Sequence, residues 1–112
     1  MSPRGGSAGR VTPVVWTAQA LADLEEIGAH IERDDPRAAA RWVAKLMAAA
    51  DKASAFPLLG RKVPELGRDD VRERIVGNYR VGYWLRDARL EVLTVFEGHR
   101  LPPLRLPAGP KR

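Results

Sequence analysis

The chain has 112 residues, no cysteine, and 19 Lys and Arg against 14 Asp and Glu, which gives a formal net charge of +5. This is the length of one domain, and the lack of cysteine excludes disulfides, thiolate metal sites and thiol nucleophiles. The positive balance favours an acidic partner, whether nucleic acid, an anionic membrane or an acidic protein, although surface arginine also serves solubility.

The chain begins with a segment that we expect to be flexible, because residues 1–12 are rich in Gly, Ser and Arg. This segment lacks the apolar core of a secretory signal, and no apolar run approaches the ~20 residues needed to span a bilayer. We therefore expect a cytoplasmic protein without membrane contact. Residues 13–17 are favourable for a short strand.

Two helices are predicted next, forming an antiparallel hairpin. The first carries apolar residues at helical spacing after a capping threonine, Thr17. The second begins at Asp35 and Pro36, since proline at the first helical position loses no hydrogen bond. Helices joined by so few residues must run antiparallel.

Three strands follow a loop rich in Gly and Pro, at 71–76, 79–86 and 89–97. The last strand is apolar on both faces, which is typical of a strand inside a sheet. The predicted fold is therefore α+β, in the order β-α-α-β-β-β. The helical hairpin packs on one face of a small, mainly antiparallel four-stranded sheet, with the first strand beside the last.

The opposite face of this sheet is expected to remain partly open and to carry Arg74, Arg80, Trp84 and Glu97. A single β-bulge would reverse this assignment of faces. The folded domain is predicted to cover 13–100, followed by a basic, proline-rich tail at 101–112.

Five segments carry a further signal through their order and spacing: VVWTAQALADLEEIGAHI, DDPRAAARWVAKL, FPLLGRKVPEL, VRERIVGNYRVGYWL and LTVFEGHR. Together they resemble the RelE/ParE superfamily of bacterial toxins over Val14 to Arg100. The resemblance implies the toxin of a type II toxin–antitoxin system, a class associated with plasmid stabilisation. It also implies a cognate antitoxin whose acidic, amphipathic C-terminal segment wraps the toxin in a hetero-oligomer. No cofactor and no metal are expected.

Two targets occur in this superfamily. ParE-like members inhibit DNA gyrase without a nuclease centre, whereas RelE-like members cut mRNA on the ribosome. The tyrosine that RNA-cleaving relatives commonly place after the last strand is replaced here by His99 and Arg100. The ParE-like function is therefore favoured, with the RelE-like endoribonuclease and a non-toxic nucleic-acid-binding module as alternatives.

If the chain were RelE-like, the catalytic candidates would be Arg61, Arg80 and His99, because 2′-hydroxyl attack needs cations at the phosphorane and a proton carrier. The candidates for contact with a target or antitoxin are Arg61, Arg74, Arg80, Tyr83, Trp84, Glu97 and Arg100. Structural roles remain open for the same side chains. Glu97 can form a salt bridge with Arg80, and Arg61 can bind a nearby carboxylate. His99 can be a surface or capping residue.

Overall fold

Two helices and five strands follow one another in residues 12–98, the part of the chain that the computed structural model describes. The elements are β1 (Val14–Trp16), α1 (Ala18–Glu32), α2 (Pro36–Ala55), β2 (Arg61–Lys62), β3 (Val71–Val76), β4 (Tyr79–Arg86) and β5 (Arg89–Glu97). Most of the predicted flexible segment 1–12 and all of the predicted tail 101–112 lie outside the described residues.

Both predicted helix starts are confirmed. The Thr17 hydroxyl accepts a hydrogen bond from the Ala20 amide at 3.2 Å and donates one to the Val92 carbonyl at 2.8 Å. It therefore caps α1 and also attaches it to β5. The Asp35 carboxylate accepts from the amides of the two residues after Pro36, at 3.1 and 3.2 Å. These bonds satisfy amides that a helix leaves without partners at its first turn.

The sheet has five strands in the order β1-β5-β4-β3-β2. As predicted, β1 lies beside β5, in parallel, and β3, β4 and β5 form an antiparallel meander. The predicted strand count of four is wrong by one. β2 comes from the loop after α2 and pairs through two residues with β3. Because this strand has only two residues and lies among Gly and Pro residues, hydrophobic periodicity cannot reveal it.

The main core lies between the helical hairpin and the sheet. Its fully buried members come from α1, α2, β4 and β5: Ala20, Leu24, Leu46, Ala49, Ala50, Ala53, Val81, Tyr83, Leu90, Val92 and Val95. Leu90, Val92 and Val95 share this face because the β4–β5 register shifts between Gly82 and Tyr83. A bulge of this kind moves every later residue of β5 to the other face.

A second, smaller core closes the opposite face of the sheet. The segment between α2 and β3 folds over this face and buries Val63 against Val71, Trp84 and Leu93. The prediction of a partly open face is therefore wrong here, because apolar surface on β3, β4 and β5 is removed from water by this segment. Within residues 12–98, no helix has both the length and the apolar character needed to cross a membrane.

Candidate functional site

The predicted arginine site is a cluster of ion pairs around one buried carboxylate. Glu73 on β3 has a fully buried side chain and contacts two guanidinium groups. Its Oε1 lies 2.6 Å from Nη2 and 2.8 Å from Nε of Arg80, and its Oε2 lies 2.7 Å from Nε of Arg61. Arg80 is 5% exposed, whereas the Arg61 side chain is 57% exposed. The structure thus brings Arg61 and Arg80 together, but through a shared carboxylate.

The segment that covers the second face also completes the surroundings of Arg80. Glu65 approaches its Nη2 at 3.3 Å, and the Phe96 ring lies 5.0 Å from its guanidinium carbon. Two carboxylates therefore neutralise the buried Arg80. A substrate phosphate would have to displace Glu73 to reach this guanidinium, at the cost of leaving a carboxylate unpaired in the interior.

The predicted faces of Arg74 and Glu97 are wrong. Arg74 lies opposite Val81 in the β3–β4 register, and Glu97 lies opposite Tyr79 in the β4–β5 register. Both partners pack in the main core, so Arg74 and Glu97 point towards the helices, away from Arg80. Arg80 accordingly takes Glu73 and Glu65 as its carboxylate partners in place of the predicted Glu97.

Tyr83 is fully buried and serves as a bridge between the sheet and the loop after α2. Its hydroxyl donates to the Pro57 carbonyl at 3.0 Å and accepts from the Gly60 amide at 3.1 Å. Burial raises the pKa of the Tyr83 hydroxyl, partly offset by the Gly60 amide and by Arg72 and Arg74 nearby. A contact with a target would require this loop to open.

Trp84 is 2% exposed, so the prediction of a partially exposed contact residue is wrong. Its indole Nε1 donates to Asp70 at 3.0 Å, and the Arg86 guanidinium lies 4.4 Å from the ring centroid. Asp70 also binds Arg68 at 2.7 Å, and this hydrogen bond, with the one from Trp84, lowers the pKa of the Asp70 carboxyl. These contacts hold the covering segment against the sheet.

The remaining predicted residues, His99 and Arg100, lie outside the described residues, so their roles stay predictions. In the described part, no group of three or more His, Asp or Glu side chains is placed to hold a metal ion. The ion pairs of Arg61 and Arg80 with Glu73, and of Arg80 with Glu65, form an internal network of charges.

An apolar groove on the outer side of the helical hairpin is the surface that the sequence analysis missed. We call it the interhelical groove; its volume is about 770 Å³. It is lined by Leu21, Leu24, Glu25, Gly28, Ala29, Glu32, Pro36, Ala39, Ala40, Val43, Ala44 and Met47. Leu21 and Met47 are 48% and 42% exposed on its walls. The lining residues of α1 and those of α2 each recur at helical spacing, with Gly and Ala between the larger side chains. This pattern was visible in the sequence.

A second cleft of about 580 Å³ lies on the other side of α1, beside the end of β5. Asp23 forms part of its wall and accepts hydrogen bonds from the Thr94 hydroxyl and the Val95 amide, at 2.5 and 3.0 Å. Burial, together with the charge of Glu97, raises the pKa of the Tyr79 hydroxyl in this cleft. The contacts of Asp23 fix the helix to the bulged part of β5.

A family model describes the chain over most of its length: the ParE toxin of type II toxin–antitoxin systems matches residues 14–102. The chain belongs to this ParE toxin family. The ParE toxin assignment agrees with the superfamily resemblance carried by the five sequence segments.

Two relatives of this ParE-family toxin are similar over nearly their whole length. The protein Y4kP of Sinorhizobium fredii is 42% identical over 92 residues, which are 79% of this chain and 90% of the relative. Toxin RelE2 of Caulobacter vibrioides is 34% identical over 88 residues, covering 79% of this chain and 97% of the relative.

Two solved structures share the fold of this ParE-family toxin. A chain of the chromosomal ParDE system from P. aeruginosa aligns with a TM-score of 0.66 at 18% identity, over 78% of this chain and 96% of that one. A chain of the RelBE2 toxin–antitoxin complex from Mycobacterium tuberculosis aligns with a TM-score of 0.57 at 21% identity, over 79% and 99%. The helical hairpin on a mixed sheet is thus the architecture of this group.

Proposed function

We propose that this ParE-family toxin arrests growth by binding DNA gyrase in the cytoplasm, and that a cognate antitoxin holds it inactive. A binding inhibitor needs a complementary surface and no acid–base centre. The RelE-like alternative needs open cations at the reacting phosphate.

The observation that supports this choice is the burial of Arg80 and its pairing with two carboxylates. Arg80 is 5% exposed, and its Nη2 lies 2.6 Å from the carboxylate of Glu73, whose side chain is fully buried. An arginine that stabilises a phosphorane must present its fork to phosphate oxygens. Here the fork is occupied by Glu73 and Glu65. The match to a ParE model over residues 14–102 points the same way.

A supercoiling assay tests the proposed target directly. Purified full-length chain should block supercoiling of relaxed plasmid by gyrase, and addition of the antitoxin encoded beside it should restore the reaction. Normal supercoiling at saturating toxin would contradict the gyrase proposal. RNA from the same induced cells, sequenced at its ends, should then show no cuts phased with codons.

The RelE-like endoribonuclease remains the second candidate, because one relative that is 34% identical carries the name Toxin RelE2. Codon-phased cleavage of translated mRNA, lost in an Arg61→Ala, His99→Ala double variant that still folds, would favour this function over gyrase binding. If the same variant also lost its inhibition of supercoiling, the result would count against the endoribonuclease function.

We place the proposed antitoxin contact in the interhelical groove. Leu21 and Met47 expose apolar surface on its two walls, while Gly28 and Ala40 between them leave room for a third helix to approach closely. The charged groups in its lining are acidic: Glu25 and Glu32 lie seven residues apart on α1. The antitoxin segment in the groove is therefore expected to be an amphipathic helix with Lys or Arg at heptad spacing, in contrast to the acidic segment that the superfamily resemblance implies.

A single charge substitution tests this placement. Met47→Asp would put a carboxylate into the apolar contact, which should weaken antitoxin binding by about 100-fold or more. Leu58→Asp is the matched control, because Leu58 is 70% exposed in the loop after α2 and does not line the groove. Equal affinity of both variants for the antitoxin, measured by calorimetry, would place the antitoxin elsewhere.

A further inference from the structure

A stripe of basic side chains runs along the outer surface of α2, on the flank turned away from α1. Arg37, Arg41, Lys45 and Lys52 are all exposed, and their spacing of four, four and seven residues puts them on one face of the helix. We call these four residues the α2 stripe. From the first to the last it extends over about 22 Å at 1.5 Å per residue.

Most other basic residues of the described surface pair with a carboxylate, whereas the members of the α2 stripe do not. Outside α2, six described basic residues each form an ion pair: Arg61, Lys62, Arg68, Arg80, Arg86 and Arg89. Within residues 12–98, no member of the α2 stripe forms one. The acidic residue of α2 itself, Asp51, lies on the other flank. Residues 12–98 together carry 13 Lys and Arg against 14 Asp and Glu, so the net charge of +5 comes from the terminal segments, but α2 itself has four basic residues against one acidic residue.

Arg74 is a further basic residue close to α2. It lies on the helix-facing side of β3, the strand against which α2 packs. Its Nη1 is buried and has no hydrogen-bond partner. A buried nitrogen on the inner side of α2 is closed to a phosphate that contacts the outer surface of this helix. Arg74 therefore adds to the positive charge around α2 without being part of the contact surface.

We propose that the α2 stripe forms a binding surface for the phosphate backbone of duplex DNA. A 22 Å length of B-form DNA carries about 13 phosphates, which is ample for every cation of the stripe. The convex surface of a helix about 10–12 Å across fits the major groove or its flanking phosphates.

Single-stranded nucleic acid fits this surface less well. Single strands need aromatic platforms for their bases, and the aromatic ring at this face, Trp42, is half-buried beneath the Lys45 ammonium, 4.9 Å from the ring centroid. An acidic amphipathic segment also fits less well, because Ala44 and Ala48 between the cations offer it little apolar area. This inference does not depend on which cellular target the toxin has.

Fluorescence anisotropy with a labelled 20-base-pair duplex of mixed sequence tests the proposal on the full-length chain. Logarithmic affinity should fall with logarithmic salt concentration at a slope of about −0.9 for each phosphate contacted. The Arg37→Gln, Arg41→Gln, Lys45→Gln variant should lose about tenfold or more in affinity at 50 mM salt. Its salt slope should be shallower than that of the wild type by about 2.7.

The matched control removes the same charge from residues outside α2: Lys62→Gln, Arg86→Gln, Arg89→Gln. This variant should keep the wild-type salt slope, and circular dichroism should show both variants folded. A charge-conserving Arg37→Lys, Arg41→Lys variant should also keep the slope. An unchanged slope in the first variant, or an equal loss in the control, would overturn the proposal. So would tighter binding of a glutamate 20-mer than of the duplex.

Discussion

Replacing Glu73 with Gln is expected to destabilise the chain by about 3 kcal/mol, because it leaves the buried Arg80 without its main counter-charge. The Glu73 side chain is fully buried, and the Arg80 side chain is 6% exposed. Gln has the same shape and keeps one carbonyl acceptor, so the variant changes charge with little change in packing. Removing one partner of a buried ion pair costs about 3–5 kcal/mol, since the remaining charge cannot return to water.

The lower end of that range applies here for a structural reason. Glu65 still approaches Arg80 at 3.3 Å, and its side chain is 41% exposed, so it can compensate for part of the lost charge. Arg61 provides the internal comparison. Its side chain is 57% exposed and loses one contact of 2.7 Å with Glu73, so Arg61→Gln should cost less than about 1 kcal/mol.

Urea unfolding followed by circular dichroism measures both effects. With a slope near 1.5 kcal/mol per molar urea, a loss of about 3 kcal/mol lowers the midpoint by about 2 M. A double Glu73→Met, Arg80→Met variant should recover much of this loss, because a buried ion pair is often replaceable by apolar groups of similar volume. If Glu73→Gln unfolded at the same midpoint as Arg61→Gln, the cluster would not depend on its buried carboxylate.

Three further substitutions follow from single structural features. Ala88→Gly should raise the thermal midpoint by stabilising the β4–β5 turn by about 1 kcal/mol, since Ala88 has φ of 60°; an unchanged midpoint would contradict this. Gly60→Ala should destabilise by about 2 kcal/mol in urea, because its Cβ would contact the Tyr83 hydroxyl and lie 2.7 Å from the Glu73 carbonyl oxygen; wild-type stability would contradict the packing. The lowered pKa of Asp70 stabilises the fold above the ordinary carboxyl pKa and is lost as the pH falls, because the unfolded chain takes up the proton more readily. Asp70→Asn should therefore show a smaller loss of unfolding free energy between pH 6 and pH 3 than the wild type, measured by tryptophan emission, and equal losses would refute this origin.

The local elements could be predicted because their signals are local. Thr17 and Asp35 precede helices as caps, and both make the capping bonds expected of their side chains. The two-residue turns after Val76 and Arg86 also determine strand pairing directly. The turn after Val76 also determines the face on which Arg74 lies, which the sequence analysis predicted wrongly. A pair between Val76 and Tyr79 places Arg74 opposite Val81, hence on the helix side.

The errors at Glu97 and Trp84 have a different cause. If the β4–β5 pairing continued without a bulge from the Arg86–Arg89 pair, Glu97 would lie on the same face of the sheet as Arg80. The bulge between the Gly82–Thr94 and Tyr83–Val92 pairs reverses it, and the only sequence signal for it is Gly82, a glycine inside a strand. Trp84 is buried by Val63, which arrives from a loop whose path depends on long-range contacts. Alternation along a strand says which residues share a face, but not what covers that face.

The two proposed surfaces on the helical hairpin lead to a last prediction. Residues of α2 that line the interhelical groove, such as Ala40 and Met47, lie about 120° around the helix axis from the centre of the α2 stripe. A helix bound in the groove contacts one flank of α2 and leaves the other flank in solvent. The antitoxin-bound toxin should therefore still bind duplex DNA through the α2 stripe.

Comparing two complexes isolates this contribution from any DNA binding by the antitoxin. One contains the wild-type toxin and the other the Arg37→Gln, Arg41→Gln, Lys45→Gln variant, and the antitoxin's own contacts are the same in both. The salt slopes should differ by about 2.7, as for the isolated chains. A difference that is present without the antitoxin and disappears with it would mean that the antitoxin covers the stripe. The groove and the stripe would then belong to one antitoxin interface, and masking of the DNA surface would be part of neutralisation.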